Sequence, residues 1–343
     1  MKENIEDYKK DGIINLDEYF LNNPSNFTYP YYITGYDEKN FWTRVGRDDK
    51  EKFIYVKPRE SKYLDNDYNI YSELLYEELM KQVGIKCVDF DIANYDGNLA
   101  TISDNMLENY SYDQFIVSAS ELLESRKYSS IGNDYDIEDL FDTIHEYCIA
   151  ENLDEKVGEK CIEDIQKVCI ADVFTLSTNR KATDLDFIVG LNDNGEESIE
   201  LAPLCHNTYC LGSNFSKDEV YDMLENEDML ADRANICYFD AGVPDYKRDY
   251  DYPYWEDTLY YLIDESEENL AFAKKCAEKM NIDEAIKKVE KKIQNKIPSE
   301  YKDFARIIWD NRLQNICECL GLDYYKIMDN KYYENEMEEI QCQ

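Results

Sequence analysis

Histidine is nearly absent from this chain: two residues in 343, at positions 145 and 206. The eleven cysteines are irregularly spaced and include no C-x-x-C, so the only zinc-type pattern is the weak pair Cys317 and Cys319. Glycine (12) and proline (7) are scarce and no period of 20 to 50 residues repeats, which excludes solenoids and propellers. Positive charge is also short, with 37 Lys plus Arg against 75 Asp plus Glu and a formal charge of −38. Such a balance repels phosphate backbones and anionic headgroups, so neither nucleic acid nor a membrane surface is an expected partner. Apolar runs such as Val168 to Phe174 are far too short to span a bilayer, and the opening MKENIEDYKK lacks the apolar stretch of a secretory signal. The expectation is a soluble, cytoplasmic protein with reduced, mostly buried thiols.

What is present is enough for a core. Hydrophobic residues make up 43% of the chain and aromatics 14%, including 31 tyrosines, which separates it from disordered acidic tails. Residues 1–28 read as a polar segment with a short helix, ended by the turn Asn22, Asn23, Pro24 and Ser25. Short β-rich runs follow at Tyr31 to Thr34, Asn40 to Val45 and Phe53 to Val56, separated by turn residues, as in an antiparallel meander. Ser72 is expected to open a helix whose apolar residues Leu74, Leu75, Leu79, Met80 and Val83 share one face before Gly84 stops it. Val88 to Ala93 and Leu99 to Ile102 then flank a hairpin turn at Asp96-Gly97.

Beyond about Leu107 the pattern is helical, with amphipathic stretches near 112–126, 137–151, 159–176, 216–230, 255–280, 282–296 and 299–320. Residues 177–212 interrupt them with two apolar runs, Phe187 to Val189 and Ile199 to Leu204, around the turn Asn192 to Gly195. The fold class expected is α+β and bilobal: an extension over 1–28, a small β-rich lobe over 29–108 and a large helical lobe over 109–343.

These segments, taken in order, resemble the HipA-like serine/threonine kinases, a branch of the protein-kinase-like fold. Ile33 to Lys39, followed by Phe41-Trp42, looks like the family's loop of glycine, polar residues and lysine; it contains Gly35 and Lys39. Phe53 to Lys57 is similar to the strand bearing the nucleotide-contacting lysine, and Ser72-Glu73-Leu74-Leu75 to the glutamate-bearing helix. Thr178-Asn179-Arg180-Lys181-Ala182-Thr183-Asp184-Leu185-Asp186-Phe187 resembles the catalytic loop N-T-D-R-H-x-x-N-x-x-F, and Leu201 to Asn207 resembles L-A-P-L-Y-D-N. The likeness covers residues 30 to 215 and implies a cleft that takes ATP and Mg²⁺.

Phosphoryl transfer needs a cation at the phosphates, magnesium held by oxygen ligands, and a carboxylate at the attacking hydroxyl. The resemblance assigns the first role to Lys57, paired with Glu73; a surface lysine and a first-turn glutamate favoured by the helix dipole is the bland alternative. Asn179 stands where the resemblance puts the catalytic aspartate, and an amide cannot accept a proton at neutral pH. Lys181 replaces a histidine, Asp184 replaces the metal-binding asparagine, and His206 replaces the metal-binding aspartate. Asp184 is a sound hard-oxygen ligand, whereas imidazole suits Mg²⁺ poorly, so metal binding is expected to be weak. Asp184 and Asp186 would share one face of an extended segment and approach the phosphates together.

Three readings follow. The first is a pseudokinase that acts as a regulatory or binding protein with a protein partner and retains nucleotide affinity. The second is an active ATP-dependent Ser/Thr kinase with repositioned carboxylates at Asp184 and Asp186. The third is an acidic charge mimic without a nucleotide site. Cys205 is expected in the core, His145 has no assigned role, and the lysines from Lys274 to Lys296 read as a solvated helical face rather than a docking strip.

Overall fold

The computed structural model describes residues 4–23, 41–45, 52–58, 66–125, 137–177, 180–205, 207, 209–226, 228–230, 255–264 and 266–341. The small lobe is built on a six-stranded sheet of β1 (Lys9–Lys10), β2 (Ile13–Asn15), β3 (Phe41–Val45), β4 (Lys52–Pro58), β5 (Phe90–Tyr95) and β6 (Asn98–Asp104), in the order β1-β2-β5-β6-β4-β3. All neighbours are antiparallel except β2 and β5. The β5–β6 turn puts both Asp96 (φ 51°) and Gly97 (φ 71°) in the left-handed region, the geometry that a two-residue hairpin with the sheet's twist requires.

Period-two alternation gives this sheet two different faces. Ile54, Val56, Ala93, Ala100 and Ile102 point to one side, where Ile5, Tyr8, Leu16, Tyr19 and Phe20 cover them. The N-terminal segment is therefore part of the sheet and its cover: β1 and β2 extend the sheet, and α1 (Leu16–Asn22) packs behind it. The sequence pattern shows only that helix, because strands of two and three residues are too short to carry a period. The opposite face presents Phe90 and Ile92, together with Lys57, Thr101 and Ser103, toward α2 (Tyr68–Val83).

α2 begins four residues earlier than Ser72. Asn66 Oδ1 accepts the Tyr68 N–H (3.0 Å), and Tyr68, Ile70 and Tyr71 are buried, so packing extends the helix past its expected start. Gly84 ends it with φ 87°, its N–H returning to the Met80 carbonyl. Residues 112–126 depart from the helical expectation: β7 (Gln114–Ser118) is a strand, and only α3 (Ala119–Ser125) is helical. β7 adds to the anticipated hairpin of β8 (Asp186–Leu191) and β9 (Glu197–Leu201), making a three-stranded antiparallel sheet in the order β7-β8-β9. That pairing is contact between segments about seventy residues apart, which a local period does not report.

Among the described residues the further helices of the large lobe are α4 (Ile137–Ala150), α5 (Glu155–Phe174), α6 (Lys217–Glu225), α7 (Trp255–Asp264), α8 (Glu267–Lys279), α9 (Ile282–Ile293), α10 (Ser299–Cys319) and α11 (Tyr324–Gln341). The stretch expected as one helix over 255–280 is two, because Ser266 caps a new N-terminus by accepting the Asn269 N–H. α11 was not anticipated. Buried residues of α2, α5, α7, α8, α9 and α10 share one apolar core, so the helix behind the small sheet packs into the large lobe. Seven of the nine described cysteines are buried and all nine are free thiols.

Candidate functional site

Lys57 lies near the end of β4 directly opposite Thr101 of β6, on the sheet face turned to α2. Its Nζ sits 2.6 Å from Oε1 of Glu73, and both side chains are almost fully enclosed. Glu73 occupies the second turn of α2, so the helix-dipole explanation, which acts on the first turn, does not account for it. Thr101 Oγ1 donates to Glu73 Oε2 (2.8 Å), and the Asn207 backbone N–H donates to Oε1 (3.4 Å). A buried charge pair persists only when its remaining hydrogen-bonding capacity is met, and here three donors converge on one carboxylate.

The opposing wall comes from the segment after α5. Leu176 is in the left-handed region (φ 52°) although buried, at the point where the chain leaves α5. Arg180 then folds back against α5: its Nε donates to Asp172 Oδ2 (2.8 Å), and its Nη2 to Asp172 Oδ1 (2.9 Å), Tyr76 OH (2.9 Å) and Asn207 Oδ1 (3.0 Å). Tyr76 OH donates in turn to Asp172 Oδ1 (2.7 Å). Burial works against the Arg180 charge, but the Asp172 carboxylate holds the guanidinium pKa well above its ordinary value. Burial and the Asp172 charge likewise push the Tyr76 phenol far up, so it stays protonated as a donor.

Ala182–Asp184 forms a 3-10 turn, and Asp184 Oδ2 accepts the Lys181 N–H (2.8 Å). Asp184 therefore does not share an extended strand with Asp186, which is the first residue of β8; the turn bends the carboxylate back on its own backbone. Burial pushes the Asp184 carboxyl above the usual range, opposed by the charges of Arg180, Lys57 and Lys181 and by the Lys181 N–H. Asp186 accepts a hydrogen bond from the Cys205 thiol (Sγ to Oδ2, 3.6 Å). Burial and the Asp186 charge drive that thiol's pKa far up, so Cys205 is a neutral core donor and not a nucleophile.

Lys57 and Glu73 meet directly in an ion pair, the lysine charge opposes the upward shift of the Asp184 carboxyl, and Asp186 meets Cys205. Gly35, Lys39, Asn179 and His206 lie outside the described residues. Thr101, Tyr76, Asp172, Arg180 and Asn207 were not singled out from the sequence. Asp172 was detectable: it is the one charge inside the apolar run Val168 to Phe174, and a charge buried on a helix demands a partner. A lysine cation and two hard-oxygen carboxylates suit a magnesium-bound phosphate group, whose own oxygens and waters would complete the metal's shell. Asn207 fits too: Arg180 fixes its amide orientation, and its buried Nδ2 has no acceptor among the described residues. Among the described residues no group of three or more His, Cys, Asp or Glu is arranged to hold a metal by itself.

A small sheet backed by a helix that carries the partner of a strand lysine, joined to a large helical lobe, is a kinase-like fold of bilobal α+β architecture. Among solved structures, the chain resembles the crystal structure of a Helicobacter pylori proinflammatory kinase, CtkA, with a TM-score of 0.60 at 15% identity over 84% of this chain and 94% of that one. It also matches a Shewanella oneidensis MR-1 toxin–antitoxin complex of HipA, HipB and operator DNA, with a TM-score of 0.49 at 13% identity over 91% of this chain and 72% of that one. No protein-family model and no curated protein matches the sequence. Among the described residues no helix is long and apolar enough to cross a membrane.

Proposed function

We propose that this chain is a HipA-like pseudokinase: a regulatory or binding protein that retains nucleotide affinity and has lost ordinary phosphoryl transfer. The observation that carries the reading is the buried Lys57–Glu73 pair, held by Thr101 and the Asn207 N–H, beside a loop whose sequence has asparagine at the base position. Lys57 would hold nucleotide phosphate oxygens, with Glu73 keeping its ammonium in place. Asp184 and Asp186 would take a magnesium ion weakly, because His206 stands where the resemblance expects the principal metal carboxylate. Magnesium, when bound, neutralises phosphate charge. Losing the base and one metal ligand, at about 10² to 10⁴-fold for a proton-transfer group alone, leaves turnover near background. The partner is expected to be a protein, and the strong negative charge favours a basic one.

The active-kinase reading has one observation in its favour: the Lys57 charge acts on the buried Asp184 carboxyl. Transfer of labelled phosphate from Mg-ATP by the purified chain separates the two. Background transfer, unchanged by Asp184→Ala, is the result expected; Mg-dependent transfer abolished by both Asp184→Ala and Lys57→Ala would establish the enzyme instead.

A further inference from the structure

α2 is fastened along its whole length. Thirteen of its sixteen residues are buried. At its start the Tyr68 ring stacks on Tyr301 of α10 at 4.5 Å between centroids. At its end Lys275 of α8 donates to the Val83 carbonyl (2.6 Å), and Gln82 exchanges two hydrogen bonds with the Asn281 backbone (2.6 and 3.1 Å). Between them the Arg180 network reaches Glu73 by two routes. One runs through Tyr76, one turn along α2 from Glu73; the other runs through Asn207, whose side chain accepts from Arg180 and whose backbone N–H donates to Glu73. Replacing buried ions by apolar groups is often neutral for stability, so stability alone gives no reason to keep Asp172 and Arg180 in the core. What the network supplies is geometry: it ties α2, α5 and two loops to one guanidinium.

We infer that Tyr76, Asp172, Arg180 and Asn207 are a preset positioning device that holds Glu73 against Lys57 before any ligand arrives, so that the helix carrying Glu73 does not swing. The inference rests on the nucleotide-site reading only for its consequence, that a nucleotide meets Lys57 already engaged. Motion that admits or encloses a ligand then belongs to the sheet strands and loops, not to α2.

Hydrogen exchange on the full chain without nucleotide tests this, with Tyr76→Phe as the variant and Ile165→Val, a methylene deletion in the α5 core, as the control for general destabilisation. In the wild type, residues 68–83 should exchange as slowly as α5. Tyr76→Phe, which removes the hydroxyl's hydrogen bonds to Asp172 and from Arg180, should speed exchange over 68–83 at least about fivefold more than over α5, and should raise the rate at which an amine-reactive ester labels Lys57. Ile165→Val should speed both helices alike and leave Lys57 labelling at the wild-type ratio. Wild-type α2 exchanging about a hundredfold faster than α5, or Tyr76→Phe behaving like the control, would overturn the inference. A separate arm with ADP keeps the two proposals distinct: slow α2 exchange that ADP does not alter supports the device whether or not ADP binds, and α2 protection gained only with ADP refutes it.

Discussion

Removing either member of the Lys57–Glu73 pair takes a close counter-charge from the other in a buried site, and the two losses respond to pH in opposite directions. Lys57→Met keeps the volume of the side chain and takes the lysine counter-charge from the Glu73 carboxylate while leaving the Thr101 Oγ1 and Asn207 N–H donors in place. A carboxylate that loses its counter-charge can always take a proton, so the cost is capped at about 1.36 kcal/mol for each pH unit above an ordinary glutamate value of about 4.3, or about 3.7 kcal/mol at pH 7 and about 1 kcal/mol at pH 5. A carboxyl raised in the folded state costs nothing below its unfolded value and more as pH climbs, so this loss shrinks toward acid. Glu73→Gln instead takes the carboxylate from a buried ammonium, which can shed its proton at a cost capped at about 1.36 kcal/mol per unit below about 10.4, hence about 4.6 kcal/mol at pH 7 and about 1.9 kcal/mol at pH 9. That loss shrinks toward alkali. Urea unfolding followed by tryptophan fluorescence at pH 5, 7 and 9 reads both slopes, and the double variant should cost less than the sum of the two. Parallel pH slopes in the single variants, or losses below about 1 kcal/mol at pH 7, would refute a buried pair.

Three further outcomes follow from the structure. Arg180→Met should destabilise by about 3–5 kcal/mol, because it leaves the Asp172 carboxylate in the core without its counter-charge; urea unfolding measures it. Asp184→Asn should become progressively more stable relative to wild type as pH rises from 4 to 8: the wild-type carboxyl is raised by burial, so its contribution is full in acid and is lost as it ionises, while an asparagine oxygen still accepts the Lys181 N–H. The same variant should lose whatever magnesium enhancement nucleotide binding has. Gly12→Ala would place a Cβ 1.8 Å from the Ile293 carbonyl oxygen at φ +79°, so it should cost about 2 kcal/mol and loosen residues 4–23 from α9, seen as faster hydrogen exchange there.

Much of the architecture was legible because its signals are local. The β5–β6 hairpin announces itself through Asp96-Gly97, and the C-terminal end of α2 through Gly84. Elements held by distant contacts were not: β7 reads as part of an amphipathic helix and becomes a strand because β8 pairs with it. The pair Lys57 and Glu73 could be named from order and spacing, whereas Arg180, Tyr76 and Asn207 meet only when α2, α5 and the segment after β9 fold together. The lysine strip is a partial correction. Lys292 reaches the buried Glu77 at 3.3 Å and Lys275 caps α2, so two of these lysines dock on the protein's own acidic helix, while Lys288 pairs with Glu284 and Lys296 with Glu290 nearby. Burial raises the Glu77 carboxyl, with Lys292 and Lys81 opposing it, a balance that composition alone does not disclose.

The central claim is that a nucleotide pocket survives around Lys57 while the chemistry that once used it has gone. Calorimetric titration of ADP and ATP into the full chain, with and without Mg²⁺, tests it most directly, using Lys57→Met as the reference. The account predicts saturable binding that changes little when magnesium is withdrawn and falls at least tenfold in the Lys57→Met protein. No heat with either nucleotide under either condition would contradict it and favour a purely acidic binding protein; binding that requires magnesium would favour the active enzyme.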